Sequence, residues 1–218
     1  LRFTSLHHQL TNGKLDEAAI YQRVLSPAEV TQHYSAGNTL APVASYHLDE
    51  TSGTAAADAS GNGYGATYNV SPSWGQAGAL PTGTAVGFNG TSQYASIPAG
   101  AFGNLASAWS LSFETWFNVP AGGSGVILSQ TVTGATPGGA APGTTAADRV
   151  PALQLGTDGK LRSSLFWHGG TSNRLLSPGS TTYNDGKWHH VAVTYGNGVE
   201  TLYIDGISVA QQAYTQTT

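Results

Sequence analysis

The sequence predicts an all-β fold, an antiparallel β-sandwich that carries one short helix. Short β-rich segments alternate with turn residues along most of the chain. A two-residue Asp205-Gly206 loop stands between Ile204 and Ile207, and such a loop between apolar flanks is a strong hairpin signal. Aromatic residues make up 10% of the chain, enough to build a core and to argue against disorder.

The clearest strands surround this hairpin signal. Residues 184–186 read Asn-Asp-Gly and predict a turn, and residues 188–195 are β-branched and aromatic. With the Asp-Gly loop, residues 188–210 are predicted to form three consecutive antiparallel strands. Residues 110–119 predict another strand, which places Leu111, Phe113, Thr115 and Phe117 on one face. Further strands are predicted at 94–98, 125–130, 152–156 and 160–168.

The helix is predicted at residues 26–37. Ser26-Pro27-Ala28-Glu29 forms a capping box, in which Ser26 and Glu29 satisfy each other's backbone donors. Pro27 suits the first helical position and Gly37 a helix end. Because so few residues lie between these signals, the helix is expected to be an appendage to the sandwich.

Composition excludes several function classes. The chain has 218 residues, only 9% of them charged, a net charge of −4 and no cluster of Lys and Arg, so nucleic acid is not an expected partner. No apolar run reaches the roughly 18 residues of a membrane span. Without cysteine, there is no disulfide, no thiol catalysis and no Cys-ligated zinc. The chain has neither methionine nor a leader at Leu1, so we expect a piece of a longer secreted protein.

Six segments of the chain carry recognisable motifs: 185–195, 202–206, 46–53, 58–65, 86–90 and 13–26. Together they resemble bacterial laminin-G-like (LamG) domains, which are jellyrolls of the concanavalin A-like lectin and glucanase type. The resemblance implies a LamG-like jellyroll with a secreted or cell-surface location in a bacterium.

The order of these motifs differs from the family's. The motif at 13–26 closes the domain in the family but stands first here. Residues 1–37 are therefore predicted to be the terminal strands and helix of a LamG-like domain, either this one in permuted form or a preceding or neighbouring repeat; a tandem array cut in another register is favoured. Residues 38–42 are a predicted linker. Residues 43–218 are the jellyroll body, with a low-complexity exposed loop at 131–147.

Calcium is the expected cofactor. Residues 58–63 form a turn rich in oxygen donors, which calcium prefers, and Asp16 alternates with Ala18 and Ile20 and so is predicted to share their inward face. A buried carboxylate needs a partner or a metal. The resemblance implies that Asp16 meets Asp58 and Asn62 at one calcium. The alternative is that Asp58 and Asn62 only form Asx-turns.

A glycan surface is the second expected site. Trp74, Trp109 and Trp167 lie in or near predicted loops and strand ends, where flat aromatic faces can cover sugar rings. The competing interpretation assigns strand tryptophans to the core, which covers Trp116, Trp188 and also Trp167.

No catalytic site is predicted. The adjacent pair His189-His190 points to opposite faces of a strand and is interpreted as structural. Related laminarinase-type hydrolases carry two carboxylates on one strand, whereas strand 110–119 carries only Glu114.

The predicted function is a non-catalytic extracellular module for carbohydrate or protein binding, or adhesion, within a larger tandem array. Its partners would be a glycan or an extracellular protein, together with neighbouring LamG-like repeats or subunits. Two alternatives are a structural subunit of a surface fibre, completed by strands from a neighbouring repeat, and an accessory domain of a secreted glycoside hydrolase.

Overall fold

A computed structural model describes residues 2–3, 11–36, 41–103, 110–131, 149–163 and 175–213 of the chain. Over these ranges it contains one α-helix, α1 (Pro27–Ala36), and one turn of 3-10 helix (Ala99–Phe102). Its strands, in chain order, are β1 (Arg2–Phe3), β2 (Asn12–Tyr21), β3 (Ala44–Tyr46), β4 (Ala55–Ala56), β5 (Ala66–Tyr68), β6 (Ser73–Ala77), β7 (Thr84–Asn89), β8 (Ala95–Ser96), β9 (Leu111–Asn118), β10 (Gly125–Thr131), β11 (Arg149–Leu155), β12 (Leu161–Ser163), β13 (Leu175–Leu176), β14 (Trp188–Gly196), β15 (Val199–Ile204) and β16 (Ile207–Ala213).

The strands form two antiparallel sheets. The order in sheet A is β13-β12-β11-β10-β1-β8-β5-β4, and the order in sheet B is β16-β15-β14-β9-β2-β7-β6, with β3 also pairing with β2. The main hydrophobic core lies between the sheets, because Leu128 and Leu153 of sheet A belong to the same buried cluster as Phe113, Phe117 and Val193 of sheet B. The predicted all-β sandwich with one short helix is confirmed.

The hairpins at the C-terminal end follow from their turn residues. Asn197-Gly198 joins β14 to β15 and Asp205-Gly206 joins β15 to β16, with positive φ at all four residues. Positive φ at both central residues defines the type I′ turn, whose twist suits a two-residue hairpin and which Asn-Gly and Asp-Gly favour. The three predicted strands over 188–210 are therefore confirmed.

The first segment of the chain lies inside both sheets. β1 pairs with β10 and β8, and β2 pairs with β9 and β7. In this structure, residues 2–3 and 12–21 therefore complete the sandwich formed by the rest of the same chain. The assignment of 1–37 to this or another repeat stays a prediction. Three predicted segments lie wholly or mostly outside the described residues: the linker at 38–42, the loop at 131–147 and the strand end at 164–168.

The helix is better packed than expected. The capping box forms as predicted, since the Glu29 side chain accepts from the Ser26 backbone at 2.7 Å and the Ser26 hydroxyl accepts from the Glu29 backbone at 3.3 Å. Val30 and His33 are buried, however. A second apolar cluster lies beneath the helix and comprises Ala19, Tyr21, Leu25, Val30, Ala192 and Tyr203. The helix therefore covers part of the outer face of sheet B instead of standing apart from the sandwich.

Candidate functional site

Asp16 is turned to the outer face of sheet B by a bulge. β2 pairs Asp16 with Trp116 and Ala19 with Glu114, so its register shifts between Asp16 and Ala19. Glu17, inside the bulge, has φ 47°. An extra residue in one strand reverses the alternation of side chains beyond it. The prediction that Asp16 shares a face with Ala18 and Ile20 is wrong for this reason: Ala18 and Ile20 lie in the main core.

The Asp16 carboxylate is buried and only half satisfied. It is 2% exposed. Oδ2 accepts a hydrogen bond from the Ala79 backbone at 2.8 Å, while Oδ1 is buried without a partner in the described part of the chain. Burial is the main cause that raises the pKa of Asp16 to about 7; the hydrogen bond from Ala79 opposes this shift and the charges of Glu17 and Asp49 add to it. The free oxygen and the raised pKa both indicate a site that would gain from a bound cation.

Two other carboxylates, those of Glu17 and Asp49, lie close enough to Asp16 for their charges to act on it. A Cβ at Gly78 would stand 3.0 Å from Asp16 Oδ2, so a side chain there would close the space around the carboxylate. Asp49 accepts from the backbone and the hydroxyl of Thr84. Calcium takes six to eight oxygens from carboxylates, carbonyls and water, and Asp16 and Asp49 fit that chemistry. Within the described ranges, no three His, Asp or Glu side chains converge as a metal site.

Asp58 is engaged within its own loop. Its Oδ1 accepts hydrogen bonds from the backbone of Ser45 at 3.0 Å and of Ser60 at 2.9 Å, and its Oδ2 accepts from the backbone of Tyr64 at 2.8 Å. Burial by itself raises the pKa of Asp58, but these hydrogen bonds outweigh it and the net shift is downward. This loop-internal bonding resembles the Asx-turn alternative.

Asn62 also bonds locally. Its side-chain amide donates to the Val43 carbonyl at 3.0 Å, and its backbone donates to the Ser60 hydroxyl at 3.2 Å. Among the residues that the structure describes, no hydrogen bond joins Asp16 to Asp58 or Asn62. A calcium shared by these three residues stays a prediction.

Of the three predicted sugar-binding tryptophans, the structure describes Trp74. Its partly buried side chain packs against the main core and meets Tyr68 edge-on, with ring centroids 5.0 Å apart. Trp109 and Trp167 lie outside the described residues. The role of all three in binding stays a prediction.

Two other tryptophans, which the competing interpretation assigns to the core, lie on the outer face of sheet B. Trp116 pairs with His190, and Trp188 pairs with Asn118. Both are partly exposed. The alternation of side chains along β9 indicates the outward position of Trp116, because Trp116 falls between the inward-facing residues Thr115 and Phe117. Tyr34 of the helix stacks on Trp116 with ring centroids 5.5 Å apart, and the Lys14 ammonium lies 5.9 Å from the centre of the Trp188 ring.

Glu114, the one acid of β9, is buried under the helix and is 2% exposed. It accepts hydrogen bonds from the Tyr21 hydroxyl at 2.8 Å and contacts His33 Nδ1 at 2.8 Å and His190 Nε2 at 3.5 Å. Burial by itself raises the pKa of Glu114, but the two histidines outweigh it and hold the pKa at about 2. An ionised, internally bonded carboxylate under a helix is not available to a substrate.

His189, on the other face of β14, joins two turns. Its Nδ1 lies 2.9 Å from Asp205 and its Nε2 lies 3.2 Å from Asp185. Burial lowers the pKa of His189, but Asp205 and Asp185 outweigh it and the net shift is upward. The geometry agrees with the structural role predicted for this histidine.

The two packed sheets, with an outer face half covered by a helix, define a jellyroll of the concanavalin A-like class. A laminin G family model described as the concanavalin A-like lectin/glucanases superfamily matches residues 89–218, and the chain belongs to this family. The match includes Glu114, Trp116 and Trp188. No curated protein and no solved structure matches the chain.

Membership in this superfamily indicates a module that binds carbohydrate or protein, and laminin-G-like domains are generally non-catalytic. No helix in the described ranges has the length and the apolar character to cross a membrane.

Proposed function

We propose that this chain is a non-catalytic extracellular module that binds carbohydrate or protein and is stabilised by calcium. The proposal that the module is non-catalytic rests on the burial and the hydrogen bonds of the Glu114 carboxylate. Retaining glycosidases need two carboxyl groups roughly 5 Å apart beside the substrate. The single acid of the central strand β9 is instead enclosed by His33, His190 and Tyr21.

The buried oxygen of Asp16 supports the calcium part. We propose that Asp16 and Asp49 supply carboxylate ligands, while Asp58 and Asn62 shape the adjoining loop. When bound, the ion would supply positive charge to a carboxylate that otherwise ionises only at about pH 7. The ion would therefore stabilise the folded chain most strongly above that pH, where the unpaired charge is most costly.

Thermal unfolding at pH 8, with calcium and with a chelator, tests the calcium proposal. We expect calcium to raise the melting temperature of the wild-type chain. Asp16→Asn should melt higher than wild type in chelator, because a neutral amide replaces a buried charge, but should gain nothing from calcium. Asp58→Ala serves as the matched control: it should lower the melting temperature through its loop and keep the calcium response. An equal calcium response in wild type and Asp16→Asn would defeat the proposal.

A fibre subunit is a second candidate, because β2, which completes this chain's own sheet here, is a strand that another copy could supply instead. β2 lies inside sheet B, and its partners β3, β7 and β9 all come later in the chain. A strand of this kind can also be supplied by another copy, as in fibres assembled by strand addition. Light scattering and electron microscopy of the purified chain test this: regular filaments would support the fibre, and a monomer at high concentration would refute it.

A further inference from the structure

Within the described residues, the outer face of sheet B beside the helix carries a group of partly exposed aromatic side chains. Four residues define what we call the aromatic face: Lys14, Tyr34, Trp116 and Trp188. They come from β2, α1, β9 and β14, which brings distant parts of the sequence together. Asn118 pairs with both Lys14 and Trp188, so these two side chains lie in one row across the sheet.

The rings of the aromatic face are held in place before any ligand arrives. Tyr34 and Trp116 are stacked with an angle of 23° between their planes, and His190 packs on Trp116 with centroids 5.3 Å apart. Trp116 and Trp188 stand on adjacent, fully paired strands. Side chains fixed on rigid elements lose little conformational entropy on binding. Yet Tyr34 remains 38% exposed, and both tryptophans are partly exposed.

Lys14 supplies a positive charge that would favour an anionic ligand over a neutral one. Its ammonium stands over the Trp188 ring, and within the described residues it has no carboxylate at ion-pair distance. In contrast, Lys187 is exposed and paired with Asp185 at 3.3 Å. The whole chain has 8 Lys and Arg against 12 Asp and Glu, so an unpaired cation on an open aromatic face is a specific feature. An anionic group on the ligand would complement it.

We propose that the aromatic face binds an acidic polysaccharide, with sugar rings against the exposed parts of Trp188 and of the stacked Tyr34–Trp116 pair, and a ring carboxylate on Lys14. This proposal rests on the glycan-binding part of the proposed function and names the ligand class and its location. Aromatic faces give apolar cover to the flat side of a sugar ring. A carboxylate on that ring would form a charge-assisted hydrogen bond with the Lys14 ammonium. Asp16, which pairs with Trp116, would place the proposed calcium beside the same ligand.

Binding of polygalacturonate, measured by calorimetry in calcium, tests the proposal, with its fully methyl-esterified form as the uncharged counterpart. We expect the wild-type chain to prefer the acid form and to bind it less tightly as salt is added. Lys14→Gln should weaken binding about tenfold, the expected loss for one hydrogen bond to a charged group. Trp188→Ala should weaken binding at least about tenfold through lost ring contact.

A matched control locates the effect. Lys187→Gln removes one positive charge away from the aromatic face, where Lys187 pairs with Asp185, so it should bind like wild type. If Trp188→Ala does not fold, Lys14→Gln with Lys187→Gln still decides the outcome. If the wild-type chain binds neither form of polygalacturonate and does not bind an uncharged glucan, the glycan-binding function itself is overturned. Binding that Lys14→Gln and Trp188→Ala leave unchanged would overturn this location, and equal binding of the esterified polymer would overturn the acidic ligand.

Discussion

Glu114→Gln is expected to destabilise the chain strongly although the two side chains have nearly the same shape. Glu114 is 2% exposed and its pKa is lowered from 4.5 to about 2. That difference corresponds to roughly 3 kcal/mol in favour of the ionised carboxylate. Losing a hydrogen bond to a charged group typically costs about 1.5–3 kcal/mol, which is of the same order. For a chain of this size, we expect the melting temperature to fall by about 6–12 °C at pH 7.

The pH dependence gives this prediction a second, independent readout. Because the folded pKa of Glu114 lies below its unfolded value, its stabilisation is fully present above about pH 4.5 and is lost as the pH falls through about 2. The stability difference between wild type and Glu114→Gln should therefore shrink to about half at pH 3. Urea unfolding followed by circular dichroism at pH 7 and pH 3 measures both quantities.

Two controls separate the buried network from a general loss of charge. Glu17→Gln removes a carboxylate paired with His47 nearer the surface, at 2.7 Å, and should cost less than about 1 kcal/mol. A double-mutant cycle of Glu114→Gln with His33→Ala should give a coupling free energy of about 1 kcal/mol or more. If Glu114→Gln lies within about 0.5 kcal/mol of wild type at pH 7, or if the difference does not shrink at pH 3, the reasoning fails.

Two further predictions concern His189, near the start of β14, and Ser26, which caps the start of α1. In wild type, the stabilisation from His189 should be fully present below pH 6.5 and be lost as the pH rises through its raised folded pKa. Asp205→Asn, which keeps the turn, should reduce that decline in pH-dependent urea unfolding; an undiminished decline would exclude this pair as its source. Ser26→Ala should lower stability by about 1 kcal/mol in thermal unfolding, whereas Ser26→Asn should retain the cap, and equal loss in both would contradict the capping role.

The sequence predicted local features best. The type I′ turn at Asp205-Gly206 and the capping box of Ser26 and Glu29 depend on residues within a few positions of each other, and both formed as expected. The helix was underestimated because its docking depends on His33 meeting Glu114, 81 positions later. No local pattern reports such a contact.

The face predicted for Asp16 is wrong, and the predicted site residues stay predictions. A single bulge at Glu17 moved Asp16 away from the face of Ala18 and Ile20, and no feature of the sequence around Glu17 had indicated one. The competing interpretation placed Trp116 and Trp188 in the core because strand tryptophans usually are buried. Strand alternation alone would have placed Trp116 opposite Phe117, and that signal was available.

The same strand, β9, links stability to binding. Its inward residues, such as Phe113 and Phe117, belong to the core. Its outward residues include Glu114, which contacts the helix, and Trp116, which belongs to the aromatic face. Glu114 anchors the helix through His33, and two positions further on Trp116 receives Tyr34 from the same helix. The contact between Glu114 and His33 therefore holds one wall of the aromatic face in place. Under the proposed function, this gives Glu114 a positioning role beside the ligand surface, which would account for a carboxylate kept inside the fold.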